Sequence, residues 1–307
     1  MNKKGFLDIS FSWIFAFIIG AFIIFGAVYG LGKFTDIETQ RSSAVTTTEF
    51  GNILNAFETS SESATSSKIT FPLQSRIEFD CSKSGQFGFQ EIMIEQKANN
   101  KWSENGVPIT FKSKYIFSEN YIEGKEFYAF SKPLEFPFKV ANLIYLTHGD
   151  KNYCFVDAPR NVKSELSDLD QANLLTKDCE DTAEIKICFD GGSKCDIEVD
   201  YEKQIVIKDS DVLPFKTDAM MYAAIFSDKE SYECGLSRLM KRAALLADVY
   251  MEKSMFLSVR CDSGLTGDLG SFKTSLENYK SIESLTQISN MQETIHKKNK
   301  YQGCKLW

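Results

Sequence analysis

Eight cysteines and two histidines are the side chains of this 307-residue chain best suited to covalent or metal chemistry. The cysteines are Cys81, Cys154, Cys179, Cys188, Cys195, Cys234, Cys261 and Cys304. Zinc held by thiolates calls for close pairs of the C-x2-C kind. The closest cysteines here, Cys188 and Cys195, have six residues between them, and neither His148 nor His296 has a metal-ligating neighbour at a suitable spacing. An even number of spread cysteines reads instead as a disulfide framework for an oxidising compartment. His148 and Asp150 offer an acid–base pair, but Thr147-His148-Gly149-Asp150 reads as a surface turn. Asp190-Gly191-Gly192-Ser193-Lys194-Cys195-Asp196 has the composition of a calcium loop without the glutamate that closes an EF-hand. Zinc-protease, nucleophile-elbow, Walker A and dinucleotide fingerprints are absent. The expectation is therefore no catalytic residue, no metal and no cofactor, with all eight cysteines structural.

The element that must position everything else is the N-terminal stretch. Ile9 to Gly32 carries no charged side chain and consists mostly of Phe, Ile, Ala, Val, Leu and Trp. That exceeds the ~20 apolar residues a helix needs to cross the hydrocarbon core of a bilayer. A secretory signal peptide has a shorter apolar region of ~7–15 residues, and a core helix of this length would show a polar face. Lys3 and Lys4 precede the run, while only Lys33 and Arg41 follow closely, which favours a cytoplasmic N-terminus and an extracytoplasmic remainder. The cysteines all lie in that remainder, consistent with an oxidising exterior.

Lys3-Lys4-Gly5-Phe6, ahead of the apolar run, resembles the class III signal of type IV pilins and pseudopilins. The resemblance implies cleavage by a prepilin peptidase after Gly5, leaving Phe6 as the first residue of a mature helix. Bacterial members usually have a glutamate at the fifth mature position. Ser10 stands there in this chain and Asp8 is the nearest acid, a departure common in archaeal members, so the resemblance is to the archaeal type. Membrane lipid, a homopolymer and the pilus machinery are the partners it implies. Ala16 with Gly20, and Gly26 with Gly30, put small residues one turn apart, a spacing that permits close helix contact in lipid. A locally flexible helix exit explains the same residues.

Beyond the anchor the chain is acidic: net charge is −7 overall, and the first 32 residues contribute +1, leaving −8 for the rest. Such an exterior does not suit nucleic acid. At 43% hydrophobic and 13% aromatic residues, the remainder has enough apolar side chains for a folded head. No proline precedes Pro72, so the helix is expected to continue through residues 34–58, with 6–33 as the membrane or filament-core part and 1–5 as the leader. Residues 59–68 read as a low-complexity linker. Short runs with turn signals over 69–215 predict a β-rich region: Ile69–Phe71, Arg76–Phe79, Phe87–Ile94, Lys114–Phe117, Glu126–Phe130, Leu143–Leu146 and Tyr153–Val156, with a helix at Ser164–Thr176. Alternation in 183–190 and 194–201 around Gly191-Gly192-Ser193 predicts a hairpin. Proximity favours a Cys188–Cys195 bond, while the alternation sets those side chains on opposite faces, so the pairing stays open.

The last stretch, 216–307, reads as a helical hairpin. Ser227-Asp228-Lys229-Glu230 is a capping box opening a helix with Tyr232, Leu236, Leu239, Ala243, Leu246 and Tyr250 inward. Arg238, Lys241 and Arg242 fall on its other face, as a solvated face or a partner site. A second helix is expected from Ser271 to Lys298. The fold class is thus α+β: a long N-terminal membrane-spanning helix, a β-rich middle of the head and a C-terminal helical hairpin. The expected function is a membrane-anchored cell-surface protein of the pilin-like kind, structural or adhesive. A monomeric single-span protein with a ligand-binding head is the alternative, and a surface hydrolase the weaker third.

Overall fold

In the computed structural model, which describes residues 11–59, 65–98, 100–103, 108–177, 179, 185–189, 191, 195–301 and 303–307, the first element is α1 (Phe11–Thr59), 49 residues long. At 1.5 Å per residue it spans about 74 Å. Its first part, Trp13–Gly30, has a mean hydropathy of 2.2 and is 0% buried, so it stands clear of the rest of the molecule. The later part is amphipathic in burial: Thr46, Thr47, Phe50, Leu54 and Phe57 are covered, and Thr48, Glu49, Asn52 and Asn55 are exposed. Three consecutive threonines are weak helix formers. Packing overrides them here, with the Gln96 amide donating to Thr46 Oγ1 at 3.2 Å.

Phe50, Leu54 and Phe57 lie against a mixed sheet ordered β3-β2-β1-β6-β7-β5, with β4 also on β2. Its strands are β1 (Thr65–Ser82), β2 (Phe89–Ala98), β3 (Lys101–Trp102), β4 (Ile109–Phe111), β5 (Tyr115–Phe117), β6 (Tyr121–Glu135) and β7 (Lys139–His148). The two short runs expected over 69–79 are one strand, β1, whose register with β6 shifts between Thr70 and Ser75, around Pro72. Thr65–Lys68, expected as linker, belong to the same strand and pair with Tyr128–Ser131. Residues 60–64 lie outside the described residues. Gln90, on β2, reaches β5 at the far end of the sheet path: its amide donates to Ile116 O at 2.6 Å and its carbonyl accepts from Ile116 N at 2.9 Å. One side chain thereby supplies β5 with the pairing that a neighbouring strand would give.

β7 is buried on both faces. Ile144 and Leu146 meet α1, while Leu143 and Tyr145 face the larger core. That explains its unbroken apolar run, the pattern of a strand covered on both sides rather than of a strand with one wet face.

A second sheet runs β13-β12-β11-β10-β8-β9, from β8 (Tyr153–Val156), β9 (Leu174–Leu175), β10 (Ile185–Phe189), β11 (Ile197–Asp200), β12 (Ile205–Lys208) and β13 (Asp211–Pro214). The expected 183–201 hairpin is corrected: β10 and β11 pair in parallel, with Ile187 opposite Ile197. The chain turns back before β11, with Asp196 N donating to Lys186 O at 2.9 Å. The helix expected at Ser164–Thr176 is α2 (Arg160–Asp168), and Leu174–Leu175 are strand.

The helical part opens with α3 (Asp218–Phe226), in which every residue from Ala219 to Phe226 is buried. Ser227 closes α3, so the capping box moves by one: α4 (Lys229–Leu257) is capped by Asp228, which accepts from Ser231 N at 2.8 Å. The expected second arm is not one helix. It is α5 (Thr266–Glu277), a 3-10 turn (Ile282–Ser284) and α6 (Leu285–Tyr301). Leu276, Tyr279, Ile282 and Leu285 are three apart, the spacing of a 3-10 helix. In a continuous α-helix, three such steps rotate the face by about 180°, which would turn Leu285 outward. The break keeps Leu276, Ile282 and Leu285 buried, with Tyr279 packed against the same core.

Candidate functional site

No group of three or more His, Cys, Asp or Glu side chains arranged to hold a metal occurs among the described residues. The arrangement of most functional interest is the one joining α1 to the head. Lys3, Lys4, Gly5 and Phe6 lie outside the described residues. Ala16, Gly20, Gly26 and Gly30 are on the uncovered part of α1, where a Cβ added to any of these three glycines would meet nothing within 4 Å. The centres of the two small-residue pairs are ten positions apart, or about 80° around the helix axis. They form two separate patches, not one seam.

The head grips the far end of α1 by polar contacts. The Asn142 amide, on β7, donates to Phe57 O at 2.9 Å and to Glu58 O at 3.2 Å, occupying carbonyls that a helix end leaves without an intrahelical partner. Lys114, almost fully buried before β5, donates to the Glu58 carboxylate at 2.6 Å. Burial on its own would raise the Glu58 pKa. Hydrogen bonds from Lys114 and Ser113 and the charges of Lys114 and Arg242 outweigh it, holding the carboxyl below its ordinary 4.5. A carboxylate lowered on folding contributes stability that is present above the unfolded pKa and lost as pH falls through the lower folded value. Glu58→Gln should therefore flatten the acid limb of a stability-versus-pH curve below about pH 4.5, measured by urea unfolding. Identical acid limbs for wild type and variant would sink this assignment.

Arg238 is the residue whose position the helical pattern of α4 misplaces. Expected on the solvated face, it is fully buried. Its guanidinium donates to Phe87 O (3.3 Å), Gln90 Oε1 (3.1 Å), Phe111 O (3.4 Å) and Lys112 O (3.3 Å), and sits 4.8 Å from the Tyr115 ring centroid. Burial pulls its pKa down, yet a guanidinium remains protonated at neutral pH. Arg242 donates to Val140 O at 2.8 Å, and Lys241 to Lys83 O and Gly85 O. Arg238 and Lys241 thus clamp α4 onto the loops around β2 and β4, and Arg242 clamps it onto β7, so the cluster is engaged within the head.

His148 is also corrected. It is buried at the end of β7, with Nδ1 3.3 Å from Glu123 O and Nε2 3.4 Å from the Glu119 carboxylate. The hydrogen bond from His148, against the opposing effect of burial, lowers the Glu119 pKa, and Lys151 adds to the lowering. Asp150 is largely exposed and 3.9 Å away. The group is a strand-end clasp.

The eight cysteines form four pairs, with none free. Cys81–Cys234 ties β1 to α4, Cys154–Cys179 ties β8 to the segment after β9, and Cys261–Cys304 joins the chain beyond α4 to that beyond α6. Cys188–Cys195 resolves the open pairing, with Cα atoms 5.9 Å apart. Cys195 lies in the return segment ahead of β11, so strand alternation no longer governs where it points.

Comparison with protein-family models, with characterised proteins and with solved structures finds no match to this chain.

Proposed function

We propose that the chain is a membrane-anchored extracytoplasmic protein of the type IV pilin-like kind, with a structural or adhesive head. The observation carrying this reading is the division of α1: one helix whose apolar half is uncovered while its other half forms part of the head core. An uncovered apolar half is costly in water and favourable in lipid or against neighbouring helices. Four disulfides in the head fit an oxidising exterior. The polar grip of Asn142 and Lys114 on the end of α1 would transmit load from anchor to head without a flexible joint. Lys3-Lys4-Gly5-Phe6 would then be the processing signal and Phe6 the mature N-terminus.

N-terminal sequencing of protein from native membranes tests this. The expected start is Phe6, and Gly5→Val should block processing, since a β-branched side chain crowds a site that admits glycine. The unprocessed chain keeps Lys3 and Lys4, which are costly to draw into an apolar core, so assembly should stop while the protein stays in the membrane. An intact Met1, or a Gly5→Val protein assembling as wild type does, would favour a single-span binding protein instead. A start beyond Gly32 would make the stretch a removed signal peptide and overturn the anchor.

A further inference from the structure

Lys114 is the one buried lysine among the described residues, 4% exposed. An ammonium has three N–H donors and no acceptor. Among the described residues the Glu58 carboxylate, at 2.6 Å, is the acceptor that meets them, with the Phe111 ring centroid 5.1 Å away. Buried donors in excess of their acceptors need a physical reason.

The strand register gives Lys114 a neighbour. β5 and β7 run in parallel, with Tyr115 opposite Leu143 and Ile116 opposite Ile144. One step back along both strands, Lys114 falls beside Asn142. Neighbouring strands are about 4.8 Å apart, and these two side chains share the face toward α1, where Ile116 and Ile144 also pack. Both reach the same residue. Lys114 donates to the Glu58 carboxylate, and the Asn142 amide donates to Glu58 O at 3.2 Å and Phe57 O at 2.9 Å. An amine, a carboxamide and a carboxylate thus converge, and Asn142 is itself only 7% exposed, which keeps competing hydrolysis out.

We propose that Lys114 and Asn142 join through an intramolecular amide bond, from Nζ to Cγ, with Glu58 carrying the protons. The Glu58 carboxyl is held below its ordinary value and is ionised at neutral pH. It takes a proton from the Lys114 ammonium, which frees the nitrogen lone pair. That pair attacks Asn142 Cγ, and the carbonyl π pair moves onto Oδ1. As the carbonyl re-forms, the Cγ–Nδ2 bond breaks. Nδ2 departs as ammonium with two protons that began on Nζ, and Glu58 is a carboxylate again. No oxidant or other reactant is consumed.

Amide aminolysis is slow between free molecules, but fixed proximity is worth an effective concentration of up to about 10⁸ M. A single turnover per chain is enough. The bond ties β5, a three-residue strand at the end of the sheet path, to β7 beside the end of α1. The linked nitrogen, Ser113 and Arg242 still oppose the effect of burial on Glu58, so the acid limb set by that carboxyl persists. The step uses the head alone and stands whether or not Lys3-Lys4-Gly5 is a processing signal.

Peptide mass spectrometry of the full chain from native membranes, reduced, alkylated and digested with trypsin, tests it. Wild type should resist cleavage after Lys114 and yield a branched peptide joining the Lys114 and Asn142 segments, one ammonia lighter than the two separate peptides. Lys114→Arg and Asn142→Ala should abolish that peptide. Glu58→Gln should lower its yield at a fixed time after synthesis at least tenfold, the usual scale of a lost proton carrier. Ring closure at Asn105-Gly106 also releases ammonia, but it forms no branch and survives Lys114→Arg. The wild-type digest decides alone where a variant does not fold. Separate wild-type peptides with cleavage after Lys114, an ammonia loss that persists in Lys114→Arg, or Glu58→Gln linking as fast as wild type would each overturn the proposal.

Discussion

Replacing Arg238 with alanine is expected to destabilise the head by about 3–5 kcal/mol, among the larger effects of a single substitution. The variant loses a fully buried side chain and strips three backbone carbonyls and the Gln90 carbonyl of a donor. Leaving buried acceptors unpaired costs about 1–3 kcal/mol each where water cannot reach them. Gln90 is the sensitive member, because its carbonyl also takes Ile116 N and so connects β2 to β5. Gly88 shows how closely the site is built: it has φ +61, and a Cβ there would come within 2.8 Å of Arg238 Cγ. Arg238→Lys should recover part of the loss, since an ammonium reaches fewer of the acceptors than the planar fork does. Urea unfolding followed by far-UV circular dichroism measures both. A change below about 1 kcal/mol for Arg238→Ala would mean that water replaces the guanidinium and that the clamp is not structural.

Arg238 also shows where sequence reading stops. Helical periodicity places it opposite Tyr232, Leu236 and Leu239, and that much is true. Periodicity does not reveal that the polar face of α4 is itself covered, by the loops flanking β2 and β4, and a buried cation satisfied by carbonyls leaves no acidic partner in the sequence to announce it. The apolar helix over Trp13–Gly30 is legible because a long run without charge or proline favours one uninterrupted helix. α3 carries no periodic signal of its own, since every residue from Ala219 to Phe226 is buried and a segment covered all round has no period to detect. The β10–β11 error has the opposite origin. Gly191-Gly192 reads as a turn in the sequence, but such a signal does not show what the returning strand pairs with. His148 reads as a turn residue because Gly149-Asp150 follows it, yet β7 continues through His148, and Gly149 N bonds back to Glu126 O at 2.9 Å. Which cysteines meet is equally hidden, since spacing alone does not determine the pairing of distant ones.

Those disulfides carry the second large effect. Cys81 and Cys234 are 153 residues apart, whereas Cys188 and Cys195 are seven apart. If bridges act mainly by restricting the unfolded chain, stabilisation grows with the logarithm of loop length, giving about 5 kcal/mol for the first and about 2.5 kcal/mol for the second. The double variant Cys81→Ala/Cys234→Ala should therefore lose roughly twice the unfolding free energy of Cys188→Ala/Cys195→Ala. The structural position of the bridge argues in the same direction. Cys81–Cys234 is the covalent link between the first sheet and α4, close to the Gln90–Arg238 contact, so its loss and that of Arg238 should be non-additive. Removing the short bridge leaves the backbone pairing of β10 with β11 over residues 187–189 in place. Equal losses for the two double variants would reject the chain-entropy account and point to native-state packing around each sulfur. A prior control decides whether the comparison applies at all: alkylation in denaturant without reduction, read by mass spectrometry, should label no cysteine, since buried Cys154, Cys188, Cys234 and Cys304 are then accessible if unpaired. Labelling of all eight would mean that the framework is not formed in the cell, and the extracytoplasmic placement of the head would fall with it.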